Sequence, residues 1–77
     1  VELSLKEAAI LTLLFQDPGQ TISRKTFLRE VWGYDFDPKT NTLEVYIRML
    51  RAKLNQISSE KLILTRRGEG YYIEHES

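Results

Sequence analysis

The sequence predicts a mainly α domain of three short helices closed by a C-terminal β-hairpin, and three observations predict it. Polar capping residues precede three stretches in which apolar residues recur at helical spacing. A β-branched run and an aromatic run flank two glycines near the C-terminus. The chain has 77 residues, 42% of them hydrophobic, enough for one modest core and not for two. Residues 1–77 are therefore read as one domain.

Val1, Glu2 and Leu3 alternate and admit a short strand. Ser4 to Glu7 then has capping-box spacing, with Ser4 set to accept a backbone N–H, Glu7 to reach back, and Leu3 and Ala8 at staple positions. A first helix is expected from Leu5 to Gln16, with Ala8, Leu11, Leu14 and Phe15 as its stripe and Ile10 and Leu13 widening it. Asp17-Pro18-Gly19 stops it. After an extended link at Thr21-Ile22, Ser23 caps a second helix that buries Phe27, Leu28, Val31 and Trp32, with Ile22 and Phe27 as staple, and Gly33 ends it. The loop from Tyr34 to Pro38 is aromatic and acidic, and Pro38 forbids a simple helical continuation.

Asn41 to Glu44 repeats the capping pattern, and the third helix gathers Leu43, Tyr46, Ile47, Leu50, Leu54 and Ile57 on one face. Beyond Ser58-Ser59, the runs Leu62 to Thr65 and Tyr71 to Ile73 read as strands around Gly68 and Gly70, with Arg66 and Arg67 beside the tip. Helices this short are not stable alone, and an isolated hairpin needs a surface to lean on. A helix-turn-helix core with the hairpin as its wing, the winged helix-turn-helix, accommodates all four elements.

Composition removes several function classes. There is no Cys, so neither a disulfide framework nor a thiolate metal site is available. No apolar run approaches the roughly 20 residues of a membrane helix, and the start lacks the pattern of a signal peptide, so a soluble, cytoplasmic protein is expected. Catalysis is not expected, because His75 is the single His and sits near the terminus, and no cofactor or metal is expected. Asp35 and Asp37 stand two apart without the ligand spacing of a calcium loop.

The formal net charge is zero, yet it is unevenly spread. From Lys39 to Arg67 there are seven bases (Lys39, Arg48, Arg51, Lys53, Lys61, Arg66, Arg67) against two acids (Glu44, Glu60), a local excess of +5. A local patch of this kind sets a binding field even on a neutral protein. On the third helix, turning the stripe of Leu43, Ile47, Leu50 and Leu54 inward points Asn41, Val45, Arg48, Met49 and Ala52 outward. Thr42 and Lys53 flank that face on one side and Arg51 on the other. The apolar members suit thymine methyls, an arginine among them can read guanine, and Arg51 and Lys53 would sit over phosphates. The same face also fits an ordinary solvated helix. The hairpin adds weight, since glycines let a tight turn enter a narrow groove and Arg66 and Arg67 bring charge there. Arg67 is the wing residue of this reading.

The residues also match a known family. Leu5-Lys6-Glu7, Ser23-Arg24, Val31 to Asp35, Asn41 to Arg48, Leu50-Arg51 with Lys53-Leu54, and Thr65 to Tyr71 closely resemble the effector domain of OmpR/PhoB-type response regulators over nearly the whole chain. Val-Trp-Gly-Tyr before the loop and Arg-Gly-x-Gly-Tyr in the hairpin are the most specific pieces. The resemblance implies a bacterial transcription factor of a two-component system, with the third helix in the major groove, the hairpin in the minor groove and two copies on tandem half-sites as a homodimer on DNA. It implies contacts from Thr42, Val45, Arg48 and Arg51 and, on the wing, from Thr65 and Arg67. It further implies that the loop carrying Tyr34, Asp35, Phe36, Asp37 and Lys39 touches RNA polymerase. Met49 departs from the family pattern, where arginine is frequent, and points to apolar contact in that half of the site. The family also carries an N-terminal sheet and an upstream receiver domain. Only Val1 to Leu3 would remain of the sheet, which is thus largely missing, and part of the first helix's apolar surface would be exposed.

The rival reading is a winged helix used only for protein contact, without direct DNA binding, with Trp32, Tyr34 and Phe36 as anchor. Trp32 fits the core better, since it continues the Phe27, Leu28, Val31 stripe. The +5 segment separates the two readings: a purely protein-binding module has little reason to gather bases on helix and wing together.

Overall fold

Ser4 starts the first helix as its spacing requires. Its hydroxyl accepts the Glu7 N–H at 3.2 Å, and Glu7 Oε1 accepts the Ser4 N–H at 2.8 Å. This comes from a computed structural model that describes residues 2–58 and 62–74. Helix α1 (Leu5–Gln16) has the predicted length, but its inner face differs from the expected stripe. Glu7, Ile10 and Leu14, at i, i+3 and i+7, are the buried residues, while Ala8 and Phe15 are exposed and Leu11 and Leu13 half-buried. Leu3 and Ala8 are both exposed, so no staple is buried there. Glu2 and Leu3 form no strand, and Val1 lies outside the described residues. The outer side of α1 bears Leu5, 90% exposed, and Phe15, 56% exposed.

Helix α2 (Arg24–Trp32) follows Ser23, whose Oγ accepts the Thr26 N–H at 3.1 Å. Gly33 ends it in the left-handed region at φ 76°, and the N–H groups of Gly33 and Tyr34 return to the carbonyls of Arg29 and Leu28. Phe27 and Leu28 are buried, and Val31 and Trp32 are half-buried against the core. Trp32 meets Tyr46 edge-on at 5.3 Å, as a core role predicts.

Helix α3 (Thr42–Asn55) buries Leu43, Ile47 and Leu50, with Tyr46 and Leu54 half-buried. Two expectations fail at its ends. Asn41 makes no side-chain capping bond, its backbone at φ −97° and ψ 24° lying outside the extended region of the Ser4 and Ser23 caps, and the reciprocal bond is lost because Arg24 holds the Glu44 carboxylate. Ile57 falls in the turn after the helix and is exposed.

Strands β1 (Leu64–Arg66) and β2 (Gly70–Tyr72) pair antiparallel, Leu64 opposite Tyr72 and Arg66 opposite Gly70. Ile63 and Ile73 stand just outside the ladder and plug into the core beside Ile10, Leu14, Phe27 and the α3 stripe. The extended link before α2 does more than connect. Ile22 exchanges both backbone hydrogen bonds with Tyr71, at 2.8 and 3.1 Å, and Gly19 donates to the Ile73 carbonyl at 2.8 Å. A hairpin of two strands is marginal by itself, and this bridge ties it to the helices.

The two glycines of the hairpin have different reasons. Gly68 sits at φ 77° in open space, as a turn requires. At Gly70 a Cβ would stand 2.0 Å from the Ile22 carbonyl oxygen, so the bridge itself demands glycine. Close approach of β2 to the Ile22 backbone, rather than entry into a groove, explains that residue. Gly68→Ala should cost about 1–2 kcal/mol, the left-handed penalty alone. Gly70→Ala should lower the urea midpoint further, because backbone must move to admit the methyl group. Equal midpoints for the two variants would show that the bridge does not constrain position 70.

Candidate nucleic-acid interface

The described basic residues of α3 and the hairpin fall into two groups once folded. Arg51, Lys53 and Arg66 are engaged within the protein. Arg48 and Arg67 are exposed and make no hydrogen bond, ion pair or ring contact with another described residue. Lys61 lies outside the described residues, as do Glu60 and His75.

Arg51 points along α3 toward the hairpin. Its Nε and Nη2 donate to the Ile63 carbonyl at 3.2 and 3.0 Å, Nη2 also donates to Thr65 Oγ1 at 2.8 Å, and the guanidinium lies 5.8 Å from the Tyr71 ring centre. A planar fork of fixed donors suits such a strut, which a lysine could not replace bond for bond. Arg51, the residue expected over phosphates, fastens the wing to α3 through Nε and Nη2, and Thr65 is one of its acceptors. Arg48 lies one turn before this strut and Arg67 two residues beyond Thr65, so one side chain links the elements carrying both free arginines. Arg66 is laid back over the hairpin, 4.4 Å from the Tyr72 ring centre, with Nη1 donating to Thr21 Oγ1 at 2.9 Å.

Lys53 is drawn toward the first helix. Its ammonium donates to Glu7 Oε1 at 2.6 Å, and Glu7 is fully buried. A buried carboxylate requires a partner, and the α3 residue opposite α1 supplies it; the head group expected on DNA is held between helices. Glu7 was read as a capping residue only. Its position was legible nonetheless, since it stands three residues before Ile10 and seven before Leu14 on one face. Burial pushes the Glu7 carboxyl up, but the Lys53 ammonium and the Ser4 N–H and hydroxyl outweigh it and hold the group below its ordinary value of 4.5.

The remaining outward residues of α3 are Asn41, Met49 and Ala52, all exposed, with Val45 half-buried. Thr42 is half-buried and its hydroxyl meets that of Thr40 at 3.0 Å. The loop before α3 is held by Arg24, which bonds Glu44 Oε2 at 2.9 Å, Asp37 and the Thr40 carbonyl. Asp37 in turn accepts the Lys39 N–H at 2.8 Å, with Lys39 at φ 60°. Tyr34 and Phe36 face solvent as a tilted pair with ring centres 5.6 Å apart, and Asp35 is exposed between them.

Residues 1–73 match the family model described as "Transcriptional regulatory protein, C terminal". The chain belongs to that family. These are the effector domains of OmpR/PhoB type, and the sequence resemblance stands. This effector domain is 46% identical over 71 residues to the transcriptional regulatory protein HprR of Escherichia coli, covering 92% of this chain and 32% of HprR. The DNA-binding domain of CpxR from E. coli superposes with a TM-score of 0.83 at 33% identity, covering 96% of this chain and 74% of that one. The RstA DNA-binding domain of Klebsiella pneumoniae, solved with its RstA box, superposes at 0.82 with 31% identity and the same two coverages, 96% and 74%. The effector domain described here thus spans about a third of the length of the curated relative.

The Glu7–Lys53 pair sets an acid dependence. A carboxyl whose folded value is lowered stabilises fully above its unfolded value, near 4.5, and that contribution is lost as pH falls through the lower folded value. Glu7→Gln keeps the cap and removes the charge, so its stability should fall less steeply below pH 4.5 than that of the parent chain. Lys53→Met should cost about 3 kcal/mol at neutral pH, the low end for stripping one partner from a buried pair. Thermal melts by circular dichroism across pH check both; parallel curves for parent and Glu7→Gln would refute the assignment.

Proposed function

We propose that this effector domain binds double-stranded DNA sequence-specifically, with α3 in the major groove and the hairpin at the adjoining minor groove, as the output module of a two-component response regulator. The observation that carries the reading is the pair of unengaged arginines, Arg48 on α3 and Arg67 at the hairpin turn, on two elements joined through Arg51 and Thr65. Unengaged cations have all their donors available to phosphates and base edges. Family membership and the RstA domain crystallised with its box support the same reading. Arg67 is the backbone contact of the wing, Arg48 the base-reading arginine, and Thr42 and Val45 line the groove beside it. Arg51, Lys53, Thr65 and Arg66 contribute by holding the interface together.

The wider proposal follows from the family. In the whole protein a receiver domain precedes this one, two copies occupy tandem half-sites, and the site of action is the bacterial cytoplasm. The Tyr34–Phe36 pair, with Asp35, Asp37 and Lys39, forms the surface offered to RNA polymerase, and its exposed rings on a loop pinned by Arg24 support that use. Protein contact is therefore a second role of the same domain rather than a rival to DNA binding. Catalysis has no part in this function.

Anisotropy titrations against a labelled duplex at several salt concentrations test the core of the proposal. Affinity should fall steeply with salt, as phosphate neutralisation releases counterions. Arg67→Ala should weaken all sequences alike and reduce the log–log slope by about 0.9, one phosphate contact. Arg48→Ala should cost about 1–3 kcal/mol on the preferred site and much less on a scrambled one. Arg51→Lys should lower affinity with the slope unchanged, because its guanidinium serves the wing. Binding that is independent of salt would refute the proposal.

A further inference from the structure

The outward face of α3 combines one free cation with an apolar patch. Val45 and Arg48 are three residues apart, Arg48 and Ala52 four, and Val45 and Met49 four, so the four side chains are neighbours on the helix surface. Met49, 40% exposed, is the one large exposed hydrophobic among the described residues of α3. Among the described residues no carboxylate pairs with Arg48, and the acid of this helix, Glu44, is bonded to Arg24 at 2.9 Å. The helix's other cations are turned away, Arg51 to the hairpin and Lys53 to Glu7. A face built to hold phosphates would keep those cations free. What remains is a single donor fork surrounded by methyl and thioether groups.

Base edges in the major groove offer one apolar group, the 5-methyl of thymine, while guanine offers two acceptors matched to a guanidinium fork. We infer that α3 reads a guanine next to thymine, with Arg48 on the guanine O6 and N7 and Met49, backed by Val45, packed on the thymine 5-methyl. This deepens the DNA-binding reading and rests on it. Met49 is then a specificity-determining residue that acts through dispersion and methyl desolvation, without a hydrogen bond. Its flexible, polarisable side chain suits a methyl whose position shifts with local groove shape.

The test removes the methyl and nothing else. Duplexes bound by the chain are enriched from a random pool, and the best one is resynthesised with deoxyuridine replacing thymidine one position at a time. Base pairing is unchanged, and the parent protein is used throughout, so folding does not enter. At one or two thymines beside a guanine, the substitution should weaken binding about fourfold, the worth of one buried methyl-sized group. Met49→Ala should bind the thymidine and deoxyuridine duplexes equally, with its melting temperature measured alongside, and Val45→Ala should reduce the difference in part. Enriched duplexes that bind equally well at every deoxyuridine position overturn the inference, as does a penalty that survives undiminished in both variants. If no duplex is enriched at all, the DNA-binding reading itself fails and the inference falls with it.

Discussion

The molecule depends on the burial of one face of α3. Leu43, Ile47 and Leu50 are at most 1% exposed, and each fully buried aliphatic side chain contributes about 1.5–3 kcal/mol. That burial fixes the rotation of the helix about its axis, because 3.6 residues per turn leave one consistent outward set. The surface of α3 follows from that rotation: Arg48 points outward, Met49 and Ala52 lie beside it, and Glu44 comes within reach of Arg24. The core meets α3 from three directions, through Ile10 and Leu14 of α1, Phe27 of α2, and Ile63 and Ile73 beside the hairpin. A chain of this size has few buried residues to share among these contacts, so polar side chains carry part of the positioning.

Cations do that positioning, three of them around α3. Arg24 holds the loop and the start of α3, Lys53 ties α3 to α1 through Glu7, and Arg51 ties α3 to the hairpin. Each spans two elements distant in sequence, and each would otherwise add charge to the surface. The result is a division of labour among like residues. A formally neutral chain with a +5 segment uses part of that excess in its own architecture, and the side chains of Arg48 and Arg67 stay unengaged by other described residues. A short hairpin on so small a core needs this bracing, and the Ile22–Tyr71 bridge supplies the backbone half of it.

Local signals in the sequence were faithful where local physics decides. The Ser4–Glu7 box, the Ser23 cap, the Gly33 stop and the hairpin turn all occur as read, since each rests on hydrogen bonds closed within a few residues. Where a distant partner competes, the reading failed. Asn41 to Glu44 looked like a capping box, but Arg24, twenty positions earlier, takes the glutamate. The expected stripe on α1 contained Leu14 and, at its margin, Ile10, which are buried, but also Ala8 and Phe15, which are exposed, and it left out Glu7, whose burial hydrophobicity cannot indicate for an acidic residue. Ile22 read as a linker residue because one residue has no periodicity to reveal a bridge.

By itself the sequence determined the order of elements, the caps at Ser4, Ser23 and Gly33 and the outward set on α3, because short-range hydrogen bonding and helical period need no knowledge of the rest of the chain. It also determined the family. Only the tertiary structure decided which basic residues remain available to a partner. A guanidinium or ammonium pairs with whatever acceptor packing brings within about 3 Å, and acceptors such as Glu7, Ile63 and Thr65 reach Lys53 and Arg51 only through the fold.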